Sequence, residues 1–264
     1  MYRIVLTLLL ASTTLPATPN YLLAESKIAQ NAKASFSAKL SESEKEAHKL
    51  NDLGLTQIKA RNFKAAEQTF QKALALDNHN VGVVYNLAGS YIVNKKEAEA
   101  VVLLEQYVKS APPDAGLYAR LGDAYFGSKN ISNAAIAYEE AYNLDQSFPD
   151  LPGKLGTLYL LSNRLADAEK FLEIAAVQSQ KDLRTLTNLS SVYLANAKPE
   201  KAIATAKKAL QIKAGKELYV TLATAYELNK DYKNALISFQ RASDLGDERD
   251  EIKRKIEALK KVNS

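Results

Sequence analysis

The sequence predicts an all-α fold: a right-handed α-solenoid of stacked helix-turn-helix units, closed by a C-terminal capping helix. Three observations predict it. Leucine followed by a small residue returns every 33 or 34 residues, from Leu53-Gly54 to Leu222-Ala223. Within each period the apolar spacings are helical rather than alternating. Glycine (10) and proline (7) are scarce in the 264 residues, which leaves few sheet turns.

The N-terminus reads as a targeting segment over residues 1–24. One positive charge at Arg3 precedes the apolar run Ile4–Leu10, and a polar stretch broken at Pro16 follows. That order fits a secretory signal peptide, with Ala17 or Ala24 as the last residue removed. The run is shorter than the roughly 20 residues that span a bilayer. The expected location is therefore periplasmic or secreted; the alternative is a chain membrane-anchored by an uncleaved N-terminal segment. Residues 25–46 are polar and weakly periodic, with isolated apolar residues at Ile28, Phe36 and Leu40, and read as a spacer. Either this segment or a tight superhelix could cover the protein's own inner face.

The repeat organises residues 47–249 into six units: 47–80, 81–114, 115–148, 149–182, 183–215 and 216–249. Each has its Leu-small pair: Leu53-Gly54, Leu87-Ala88, Leu121-Gly122, Leu155-Gly156, Leu189-Ser190 and Leu222-Ala223. Three residues after the small one stands Tyr91, Tyr125, Tyr159, Tyr193 or Tyr226, with Gln57 in the first unit. Twelve after it stands alanine in every unit: Ala66, Ala100, Ala134, Ala168, Ala202 and Ala235. Four further on is a large residue (Phe70, Leu104, Tyr138, Leu172, Phe239) everywhere except Ala206. Small residues where two helices cross let the backbones approach, and the large ones fill the flanks. No single pair buries its apolar face alone, so neighbours must stack. Residues 250–264 supply the cap, with Ile252, Ile256 and Leu259 as its apolar stripe.

These residues in this phase resemble the tetratricopeptide repeat family. The family's first-helix tryptophan is absent, replaced by Leu50, Val84, Tyr118, Pro152, Leu186 and Tyr219. The resemblance implies a concave groove, lined by first helices, that takes a peptide or protein segment. Carried over by position, the groove residues are Asn51 and Leu55; Tyr85, Asn86, Gly89 and Ile92; Arg120, Asp123 and Phe126; Lys154, Thr157 and Leu160; and Asn188. Tyr85, Ile92, Phe126 and Leu160 are expected to form an apolar stripe, with Gly82, Gly89, Gly116 and Ala119 leaving room around it. Arg120 and Lys154 are expected to add adjacent positive charge. Members that clamp a C-terminal carboxylate use five polar positions, of which only Asn86 and Arg120 match, so such a clamp is not implied.

Composition limits the chemistry. There is no cysteine, hence no disulfide, thiolate site or lipidated cysteine, and there are only two histidines, His48 and His79. No catalytic set and no metal-ligand spacing is found, so no enzyme, metal or cofactor is expected. A net charge of +5 from interspersed charges does not argue for nucleic acid. No span of the membrane is expected once the signal is removed. The expected function is a protein-binding scaffold in an exported compartment, for envelope, pilus or secretion assembly. The alternative is a wall- or carbohydrate-associated module, or a regulatory subunit of an enzyme complex, acting through the convex face.

Overall fold

The computed structural model describes residues 40–263, so the expected signal peptide and residues 25–39 of the expected spacer lie outside the described residues. Among the described residues there are thirteen helices and no strand. They fall into two compact bodies, divided after Leu151. The first holds α1 (Glu42–Lys59), α2 (Phe63–Leu76), α3 (Val81–Val93), α4 (Glu97–Ser110), α5 (Ala115–Gly127) and α6 (Ile131–Leu144). The second holds α7 (Leu151–Leu161), which begins at the division, α8 (Leu165–Gln178), α9 (Leu183–Ala195), α10 (Pro199–Ile212), α11 (Lys216–Leu228), α12 (Tyr232–Asp244) and α13 (Asp250–Val262).

One boundary differs from expectation. The stretch read as spacer up to residue 46 is helical from Glu42. The cause is a capping box: the Ser41 hydroxyl accepts from the Glu44 amide, and the Glu44 carboxylate accepts from the Ser41 amide. It lengthens α1 to 18 residues, against 11 to 14 in the other helices.

Three other first helices, α3, α5 and α9, start on side-chain caps. Asn80, Asp114 and Asp182 accept from the amides of Val83, Leu117 and Thr185. Each first helix then ends in a Schellman turn. Its left-handed residue is Arg61, Lys95, Lys129, Asn163, Ala197 or Lys230, all with φ between 54° and 62°. The amide after it reaches back to the carbonyl of Gln57, Tyr91, Tyr125, Tyr159, Tyr193 or Tyr226 at 2.8–2.9 Å. The aromatic of the repeat therefore marks where the first helix stops.

The Leu-small pair works through close approach. A Cβ built on Gly54 would lie 2.4 Å from the Phe70 ring, one on Gly122 2.4 Å from the Tyr138 ring, and one on Gly156 2.6 Å from Leu172. The large residue of the second helix occupies the space that glycine leaves on the first. In the fifth unit both sides are small, Ser190 and Ala206, and both are fully buried.

Successive repeats are joined by polar clasps as well as apolar contact. In the first body, Glu67 accepts from Asn94 Nδ2 and Lys96 Nζ, each at 2.6 Å. In the second, Glu169 accepts from Asn196 Nδ2 and Lys198 Nζ at the same distance. Tyrosine hydroxyls make a second set of links: Tyr125 donates to Glu105, and Tyr193 donates to Glu173 at 2.7 Å. Burial, and then the bond to Glu105, push the Tyr125 phenol up to about 12. The Tyr193 hydroxyl, followed by Lys201, holds the Glu173 carboxyl below its usual range.

In the first body α1 to α6 pack in chain order, and the first helices α1, α3 and α5 also touch. In the second body α8 to α13 pack in chain order, and α9 touches α11. The cap α13 buries Ile252 and Leu259 against α11 and α12, with Ile256 partly buried beside them. Lys255 is bonded to Glu227 at 2.8 Å, and Arg249 to the buried Asp247. This is the all-α repeat architecture expected, with its capping helix.

Candidate functional site

First-helix residues of consecutive repeats meet within each body. In the first body Asn86 Nδ2 donates to Asn51 Oδ1 at 2.9 Å, linking α3 to α1. One repeat further, the Arg120 guanidinium of α5 lies 4.0 Å from the centroid of the Tyr85 ring of α3. Arg120 Nη1 is also 4.0 Å from Asp123 Oδ2, and Asp123 Oδ1 accepts from the Tyr138 hydroxyl at 2.5 Å. In the second body Asn188 Nδ2 of α9 donates to Thr157 Oγ1 of α7 at 3.0 Å, while Thr157 itself donates to the Gly153 carbonyl. The expected site residues thus gather into two sets, one in each body.

Their exposure corrects the expected apolar stripe. Tyr85 is 5% exposed and Leu160 2%, so neither presents an open face; Ile92 and Phe126 are half-buried. For Tyr85 the reason is packing. Its ring belongs to the core between repeats, with Leu117 and Leu121, and the Arg120 guanidinium covers it.

The expected pair of available positive charges is corrected as well. Arg120 is 1% exposed and faces Asp123 and Tyr85, so it acts as an internal strut; Lys154, in the other body, is half-buried. Burial raises the Tyr85 phenol pKa, and the nearby Arg120 charge opposes that rise. The signal for this cluster was present as Arg120 and Asp123 three apart on one helix. Its meaning depended on the facing Tyr85, 35 residues earlier. Asn51, Leu55 and Thr157 are half-buried, while Asn86, Gly89, Asp123 and Asn188 are buried.

These side chains offer amide, hydroxyl and aromatic contacts. Neither histidine lies among them, and both are exposed. Among the described residues no group of three or more His, Asp or Glu side chains could hold a metal ion. No helix of the described residues is long and apolar enough to cross a membrane.

A chain of paired helices, with a first-helix glycine making room for a large second-helix residue in three of the pairs and polar links between pairs, defines a helical-repeat protein. Models of the tetratricopeptide repeat match residues 57–125, 115–148, 183–215 and 216–245. The chain belongs to the tetratricopeptide repeat family. It is 30% identical over 159 residues to the PEX5-related protein of Mus musculus, covering 54% of this chain and 27% of that one. It is also 30% identical over 103 residues to the tetratricopeptide repeat domain-containing protein PYG7, chloroplastic, of Arabidopsis thaliana, covering 38% of this chain and 34% of that one. The chain therefore spans about a third or less of these curated relatives. Among solved structures it resembles pilF of Pseudomonas aeruginosa, with TM-score 0.67, 14% identity, and coverage of 84% of this chain and 99% of that one. It also resembles YrrB, described as a TPR protein with an unusual peptide-binding site, with TM-score 0.65, 16% identity, and coverage of 73% and 97%. Proteins of this family serve protein–protein interaction, and this chain shares their repeat.

Proposed function

We propose that this chain is a non-enzymatic scaffold that binds a peptide or protein segment along its first-helix face, in an exported compartment, for envelope, pilus or secretion assembly. One observation carries the reading: groove-position side chains of consecutive repeats are bonded to one another, Asn51 to Asn86 and Thr157 to Asn188. Amides and hydroxyls tied in this way form a polar floor that is ordered before a ligand arrives, which lowers the entropic cost of binding. Half-buried Ile92 and Phe126 supply apolar contact beside that floor in the first body. The peptide-binding description of YrrB accords with such use. The exported setting rests on the apolar run Ile4–Leu10 behind a single positive charge.

The test is a photoreactive residue placed at Phe126 or at Ile92 in the native host, read by mass spectrometry. The expected result is a small set of crosslinked proteins shared by both positions and absent from a probe at the exposed second-helix residue Lys72. Crosslinks confined to this chain itself would remove the groove reading. Recovery of the protein in the cytosolic fraction would remove the exported one.

A further inference from the structure

The turn between the two helices of a repeat forces one residue into the left-handed region. Glycine adopts that conformation without strain, and asparagine tolerates it. In the first body all three such positions are basic instead: Arg61, Lys95 and Lys129. All three are exposed, and none has an ionic partner. The turns adjoin. Asn94 donates to the Phe63 carbonyl at 3.3 Å across the first two, and a Cβ on Gly127 would lie 2.7 Å from Glu97 Cγ across the next two.

These turns therefore form one edge of the body. Six basic residues occupy it (Lys59, Arg61, Lys64, Lys95, Lys96 and Lys129), against Glu67, Glu97 and Glu99. Glu67 is already held by Lys96. The opposite edge, where repeats are joined, carries Asp77, Asp114 and Asp145. Asp77 accepts from His79 N and Asn80 Nδ2, Asp114 caps α5, and Asp145 holds Ser147. A second copy of the chain would thus offer carboxylates that already serve its own helix ends and turns. Apart from Lys96, the basic row makes no ion pair among the described residues, while its natural complement within the protein is engaged.

We infer that the edge formed by the intra-repeat turns of the first body docks on an anionic lipid bilayer. Lysines outnumber arginines on it, which suits diffuse surface charge rather than forked recognition of a single carboxylate. This surface is distinct from the first-helix face and does not depend on it.

The experiment is co-sedimentation of the full chain with vesicles of phosphatidylcholine containing 30% phosphatidylglycerol, compared with pure phosphatidylcholine. Binding is expected only to the anionic vesicles and is expected to fall with added salt. The triple variant Arg61→Asn, Lys95→Asn, Lys129→Asn keeps a residue that tolerates the turn. It should weaken binding by about a hundredfold, since each basic residue near such a surface is worth about fivefold. The control Lys72→Gln, Lys109→Gln, Lys208→Gln removes the same charge elsewhere and should weaken it by about threefold or less. The chain has no tryptophan, so Asn62→Trp, at an exposed position beside Arg61, gives a single reporter on that edge, expected to shift to the blue on anionic vesicles. Equal losses in the two triple variants would overturn the proposal, as would an unshifted Trp reporter. So would retention on immobilised polyglutamate without vesicle binding, which would point to an acidic protein instead.

Discussion

The first-helix faces of the two bodies use the same backbone frame for different chemistry. In the first body the face is built on charge: Arg120 is stacked on Tyr85 and set against Asp123, which Tyr138 also bonds. In the second the bonded residues are neutral, with Thr157 bonded to Asn188 and the buried Thr221 and Thr224 bonded back to their own helix. The framework around both faces is alike, down to the clasps of Glu67 and Glu169. A repeat fold thus separates the residues that specify stacking from those that fill the face, and the second group changes its chemistry between the bodies.

The largest expected contrast comes from that face. Arg120→Ala removes one member of a buried charge pair and opens a cavity against Tyr85, and should cost about 3–5 kcal/mol. Asn188→Ala breaks a single neutral bond and should cost about 1 kcal/mol. Urea denaturation of both variants measures the difference; equal costs would mean that the charged cluster is no more than a polar contact.

A smaller contrast separates two glycines. Gly122→Ala drives a methyl into the Tyr138 ring and should destabilise by about 1–3 kcal/mol. At Gly153 a Cβ would meet only Thr185 Oγ1 at 3.5 Å and the Ala175 Cβ at 3.7 Å, both ordinary contacts. Gly153→Ala should therefore stabilise by about 0.5 kcal/mol through helix propensity. Opposite signs in thermal melts are the expected outcome.

The smallest effect lies in the turns. Ala197 holds a left-handed conformation that alanine resists, so Ala197→Gly should stabilise by about 0.5–1 kcal/mol. At Asn163 the same change should move stability by no more than about 0.3 kcal/mol, since asparagine already tolerates the turn. A loss of stability in Ala197→Gly, read by the same melts, would show that the turn is not strained.

Much of the fold was legible because stacking writes its demands locally. The small residue, the alanine twelve later and the large residue after it are all dictated by how closely two helices cross, and each recurs at its own position. The cap was legible as Ile252, Ile256 and Leu259 on one stripe. The start of α1 was legible too, in Ser41 and Glu44 three apart, but the polar composition around them masked it. The candidate site was less legible. Tyr85 and Leu160 look like exposed anchors when a first helix is considered by itself; the next repeat turns Tyr85 into core.

By itself the sequence determined the helix pairs, their period and their order, because helix periodicity and close-packing act over a few residues to a few tens. It also holds no cysteine and only two histidines. Only the tertiary structure decided which first-helix residues remain partly open, that Arg120 is a buried strut, and that basic residues fill the strained turns along one edge. Those properties belong to surfaces made by two or three repeats together, and burial and charge pairing are set by neighbours that lie a full repeat away in the chain.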